Sequence, residues 1–92
     1  MIKSWANVAT RKWADEGKSR FKGMDADAAQ ELLAMLNAAS ALSDLSPLKS
    51  VGLHKLKGGR KEQWAITVNG PWCICFGFID GDAWDVEIID YH

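Results

Sequence analysis

The sequence is poor in cysteine: there are only two, one residue apart in "WCICF". Neighbouring positions on one extended chain are badly oriented for a relaxed disulfide, so Cys73 and Cys75 read as free thiols. Long hydrophobic runs are lacking too. None approaches the roughly 20 residues that a bilayer crossing requires, and the start "MIKSWANVATRKWADEG" has no uninterrupted apolar stretch of the leader-peptide kind. A cytoplasmic, non-membrane protein is therefore expected. Nor does one sign of charge dominate. With 11 Lys and Arg against 12 Asp and Glu, the formal net charge is −1, which argues against nucleic-acid binding through overall charge alone. Internal repeats and low-complexity segments are absent.

What is present fits one compact domain. A chain of 92 residues, 48% apolar and 25% charged, buries somewhat over half of its unfolded surface and sustains a single core. Its charges are segregated. Lys49, Lys55, Lys57, Arg60 and Lys61 cluster against Glu62 alone, whereas Asp80, Asp82, Asp85, Glu87 and Asp90 crowd the end. The molecule has a basic middle and an acidic last strand.

Periodicity changes along the chain. Ser4 reads as an N-cap for a helix in which Trp5, Val8, Ala9, Lys12 and Trp13 recur at helical spacing, with Gly17 as its stop. Asp25 or Asp27 caps a second helix, Gln30 following Asp27 as in a capping box, with a stripe of Ala29, Leu32, Leu33, Leu36 and Ala39. From Leu53 onward the period is two. Trp64, Ile66 and Val68 alternate, as do Trp72, Ile74, Phe76 and Phe78, then Trp84, Val86 and Ile88. "NGP" and "DGD" separate these runs as hairpin connections. A two-residue loop at either would oppose the apolar phase of one strand to the polar phase of the next, so three-residue loops are expected, aligning Val68 with Trp72 and Phe78 with Trp84. The fold class that follows is α+β, two N-terminal helices packed on one face of a small antiparallel sheet. An open opposite face would carry Thr67, Cys73, Cys75, Gly77, Asp85, Glu87, Ile89 and Tyr91.

The side chains suited to acid-base work are His54, in the basic stretch, and the closing Asp90, Tyr91 and His92. If the last strand ran beside the one near His54, these residues and Lys57 would converge at one sheet edge. Such a set suits metal-free RNA cleavage, in which a base takes the 2′-OH proton, an acid protonates the leaving 5′-oxygen and cations offset the phosphorane charge. Residue types alone favour a surface histidine and a solvated tail. C-x-C with distant histidines is not a zinc spacing, and mid-strand cysteines lack the helix N-terminus that activates a thiol. The pair Gly58–Gly59 reads as a tight turn, and four of the five tryptophans fit apolar phases.

The stretch "LHKLKGGRKEQWAITVNGPWCICFGFIDGDAWDVEIIDYH", with the opening "MIKSW", resembles the HigB toxins (plasmid-maintenance killer proteins) of the RelE-like toxin superfamily. The resemblance covers essentially the whole chain, residues 1–92, as a single toxin domain. It implies a ribosome-dependent endoribonuclease that cuts mRNA, needs no cofactor or metal, and is neutralised by a HigA-like helix-turn-helix antitoxin through which alone it reaches operator DNA. It also implies catalytic roles for His54, Asp90, Tyr91 and His92, and RNA or phosphate contacts for Lys55, Lys57, Arg60 and Lys61. The chain departs from the family at Cys73, where "W-R-I-x-F" sequences carry arginine. Loss of that cation implies a weakened toxin or, alternatively, an inactive module that binds its antitoxin and contributes to operon repression.

Overall fold

The computed structural model describes residues 1–16, 21, 23–41, 43–45, 53–56 and 63–90. Helix α1 (Val8–Glu16) is capped by Asn7, not by the expected Ser4. Thr10 N donates to Asn7 Oδ1 at 2.8 Å and Arg11 N to the Asn7 carbonyl at 3.3 Å, while the Ser4 hydroxyl is engaged elsewhere. Helix α2 (Ala26–Ala38) begins at Asp25, whose carboxylate accepts from Ala28 N. Asp25 is thus the cap and the Asp27–Gln30 pairing is not used. The stripe Ala29, Leu32, Leu33 and Leu36 is buried as its spacing requires. Gly17, the expected stop of α1, lies outside the described residues.

Four strands, β1 (His54–Lys55), β2 (Gln63–Asn69), β3 (Trp72–Ile79) and β4 (Asp82–Asp90), form an antiparallel sheet in the order β1-β2-β3-β4. The expected three-residue loops are not what joins them. Asn69 pairs with Trp72 across Gly70 and Pro71, and Ile79 pairs with Asp82 across Asp80 and Gly81. Asp80 and Gly81 both have positive φ, 52° and 83°, as a type I′ turn demands. A Cβ on Gly81 would also lie 2.6 Å from the Ser40 carbonyl oxygen. Two-residue turns do create the phase conflict foreseen above, and a bulge in each hairpin removes it. Val68 is the extra residue between Thr67↔Cys73 and Asn69↔Trp72. In β4 an extra residue lies between Glu87↔Cys75 and Trp84↔Gly77, at Asp85, whose φ is +53°.

Ser4 holds this second bulge. Asp85 N donates to Ser4 Oγ at 2.8 Å, and that hydroxyl donates to Asp85 Oδ1 at 3.2 Å. The first residues run parallel to β4, bridging Ile2 to Ala83 and Trp5 to Val86, and so cover part of an edge that would otherwise stand open. Farther along, Thr10 in α1 takes over the role: its Oγ1 accepts from Ile88 N at 3.1 Å.

The main core lies between the helices and one sheet face, and contains Trp13, Leu33, Leu36, Ile66, Ile74, Phe76, Val86 and Ile88. Asn69 fastens the β2–β3 turn to this layer, its amide donating to the Gly23 carbonyl and its carbonyl accepting from Asp25 N. Among the described residues no helix is long and apolar enough to cross a membrane.

Thr10 is wholly buried, so its hydroxyl is the only reason to prefer it to valine there. Thr10→Val keeps the shape and strands the Ile88 amide, which is expected to lower unfolding free energy by about 1–3 kcal/mol. Thr10→Ser, which retains the acceptor, loses about 1 kcal/mol through one methyl. Urea denaturation of the three chains ranks them; Thr10→Val with the parent's midpoint would contradict the role.

Candidate active site

The sheet face turned away from the helices follows from the register. One row across it is His54, Ala65, Cys75 and Glu87; the next is Thr67, Cys73 and Ile89; a third is Gln63, Gly77 and Trp84. His54 is exposed on β1, at one end of the strand order. Leu56, two residues on and therefore on the same face, donates its N–H to the Gln63 carbonyl at 2.8 Å. It packs with Ala65, Cys75 and Ile89 as a second apolar cluster. The face is consequently not the open surface expected from the alternation: Ala65, Cys73 and Cys75 are buried. Two apolar residues on the nominally polar phase, Leu56 and Ile89, pack there with Ala65 and Cys75.

Trp84 also changes sides. The bulge at Asp85 moves it out of phase with Val86 and Ile88, so Ala83 fills the core position opposite Phe78 while Trp84 stands 40% exposed opposite Gly77. An exposed indole beside a residue without a side chain offers a flat stacking surface. The signal for this was the "DG" pair, which favours a two-residue turn and so implies a compensating bulge. Glu87 accepts from Asn7 Nδ2 at 3.2 Å and Asp85 from Ser4, which ties the acidic strand to the first residues. Among the described residues, His, Cys, Asp and Glu nowhere gather in threes that would hold a metal ion.

The expected convergence of His54 with the end of β4 is not formed by the described residues. In a meander each strand neighbours the next in sequence, so β1 and β4 occupy opposite edges, with β2 and β3 between. Three strand spacings amount to about 14 Å. Asp90 pairs with Trp72 and shares its side of the sheet, the helix side, whereas His54 faces the other way. Lys55 is exposed and pairs with Trp64, on the helix side like Asp90. Tyr91, His92, Lys57, Arg60 and Lys61 lie outside the described residues.

Cys73 stands between Thr67 and Ile89. Burial pushes its thiol above the ordinary value, and a hydrogen bond with the Thr67 side chain only partly opposes that shift. Neither cysteine is in a disulfide. Among the described residues, no lysine or arginine stands in these three rows.

The sequence matches the family described as RelE-like toxin of type II toxin-antitoxin system HigB over residues 7–92. It is 34% identical over 93 residues to the endoribonuclease HigB of Proteus vulgaris, with the whole of each chain covered.

The raised thiol pKa has a consequence for stability. The folded chain keeps the Cys73 proton to higher pH than the unfolded chain does, so this contribution is complete below the ordinary thiol value and is lost as pH rises through the elevated one. Urea midpoints of the parent should therefore fall more steeply above that pH than those of Cys73→Ala. Parallel pH profiles would contradict the assignment.

Proposed function

The chain belongs to the HigB-like, RelE-related toxins of type II toxin-antitoxin systems, and from that premise we propose that it is an endoribonuclease cutting mRNA on the ribosome by metal-free acid-base catalysis. The observation that carries the reading is His54. An exposed imidazole stands at the edge of a sheet face in a chain that aligns end to end with an endoribonuclease. His54 and His92 act as the base and acid pair. One removes the 2′-OH proton as that oxygen attacks the adjacent phosphorus; the other protonates the departing 5′-oxygen, leaving a cyclic phosphate and a free 5′-hydroxyl.

Asp90, a sheet's width from His54, acts on the terminal residues as an orienting or electrostatic partner rather than on His54. Tyr91 serves as a substrate contact. Lys55, Lys57, Arg60 and Lys61 hold RNA phosphates, and Trp84 offers a base a stacking surface. The protein's partners are the ribosome, mRNA and a HigA-like antitoxin, with operator DNA reached only through that antitoxin.

A second reading is favoured by Cys73: a fold retained for binding the antitoxin and repressing the operon without cutting RNA. An uncharged, buried thiol stands where the family resemblance calls for arginine, on a face whose described rows carry no cation. Primer extension on mRNA, naked and on translating ribosomes, separates the two. The active-toxin reading expects cuts only with ribosomes, and a loss of at least about a hundredfold in His54→Ala, as for removal of an acid-base group. Deletion of Tyr91 and His92 is expected to abolish cutting while antitoxin binding persists. Intact mRNA at every concentration of the parent would establish the binding module; undiminished cutting by His54→Ala would sink the acid-base assignment.

A further inference from the structure

The third row of the outward sheet face holds a slot. Gly77 of β3 lies between Gln63 of β2 and Trp84 of β4, so two strand spacings, about 10 Å, separate the flanking side chains with none between them. Among the described residues, a Cβ at Gly77 would meet nothing nearer than the Trp84 carbonyl oxygen, at 3.8 Å. The floor is therefore open. On one side of it stands an indole that is 40% exposed, put there by the bulge at Asp85.

Shape and charge select what enters. An aromatic wall and an amide about 10 Å apart leave room for one planar ring stacked on the indole. Asp82 and Glu87 are the outward neighbours of Trp84 on β4. Asp82 lies 3.5 Å from the Met1 amino group, Glu87 accepts from Asn7, and among the described residues no lysine or arginine stands in these rows. A phosphate is repelled from such a slot, whereas an uncharged base is not, and the Gln63 amide presents both a donor and an acceptor to its edge. The exposed His54 is on the same face, three strand spacings or about 14 Å away. This width exceeds one nucleotide step.

We infer that the slot above Gly77 binds one base of the mRNA, stacked on the Trp84 indole with its edge on the Gln63 amide, and that this base belongs to a nucleotide beyond the two joined at the cut. The inference rests on the reading that the His54 face meets mRNA, and adds to it a subsite that selects where the strand is cut.

A first test needs neither ribosomes nor cleavage. The ¹⁵N-labelled parent is titrated with a 2′-O-methyl tetra-adenylate and, in parallel, with an abasic chain of the same length and charge. The tetra-adenylate is expected to move the Trp84 indole ¹H–¹⁵N resonance upfield, through the ring current of the stacked base, and the abasic chain to leave it in place. Gly77→Val fills the floor with a side chain suited to a strand and should abolish the shift, with a urea midpoint no lower than the parent's. A second test measures mRNA cleavage on translating ribosomes. Trp84→Ala and Gly77→Val are expected to lose about five- to hundredfold in kcat/KM, the range of one base–aromatic stack, and Trp84→Phe, which keeps an aromatic face, to stay within about fivefold. An unmoved Trp84 resonance, an equal shift from the abasic chain or a parent-like shift in folded Gly77→Val overturns the slot. So does a Trp84→Ala chain that loses antitoxin binding but keeps its affinity for the tetra-adenylate, which would make the face a protein contact. A parent that stacks the tetra-adenylate on Trp84 yet cuts no mRNA upholds the slot and removes the endoribonuclease reading instead.

Discussion

Two-residue turns fix the parity of this sheet, and everything on its two faces depends on how the chain repairs that parity. The turn at Asp80–Gly81 takes positive φ at both central residues, and the one at Gly70–Pro71 is equally short. With such turns and regular strands, Ile74 and Phe76 would face the helices while Val86 and Ile88 faced away. Each of these side chains is worth about 1.5–3 kcal/mol when buried, so the mismatch would remove the core. One extra residue per hairpin, Val68 and Asp85, restores the alignment. The left-handed backbone at Asp85 is tolerable for an aspartate and is held by the reciprocal pair with Ser4. The first residues of the chain therefore stabilise a bulge in the last strand.

This accounts for what was legible in the sequence and what was not. The core phases of Ile66, Ile74, Phe76, Val86 and Ile88, and the α2 stripe, follow from periodicity because burial enforces them. The loop lengths do not, because a bulge and a longer loop produce the same alternation far from the turn. Reading the phases as continuous led to three-residue loops and kept Trp84 with the core, whereas the "DG" pair carried the opposite information. Ser4 departs from its expected role for a related reason. Its residue type suits a cap, but its hydroxyl has a partner 81 positions away, which no local pattern shows.

The candidate site was legible in part. His54 stood out by residue type and occupies an exposed edge. The expected neighbouring of their strands is not observed, since the order β1-β2-β3-β4 puts β1 and β4 at opposite edges among the described residues. The apolar patch of Leu56, Ala65, Cys75 and Ile89 gives the His54 face a buried centre, and Cys73 lies at its margin with a Thr67 hydrogen bond. A cation at that position would point into the same face as the imidazole. The sheet carries the proposed chemistry on one face, and the helices close the other over the main core.

The central claim is that the sheet face bearing His54 is the reacting surface and that Cys73 deprives it of a charge. The most direct test is the rate of mRNA cleavage on translating ribosomes by the parent and by Cys73→Arg, with urea midpoints confirming that both chains are folded. A guanidinium near the developing phosphorane is worth on the order of 3 kcal/mol. The account therefore predicts cleavage roughly a hundredfold faster in Cys73→Arg. Equal rates in two folded chains would contradict it.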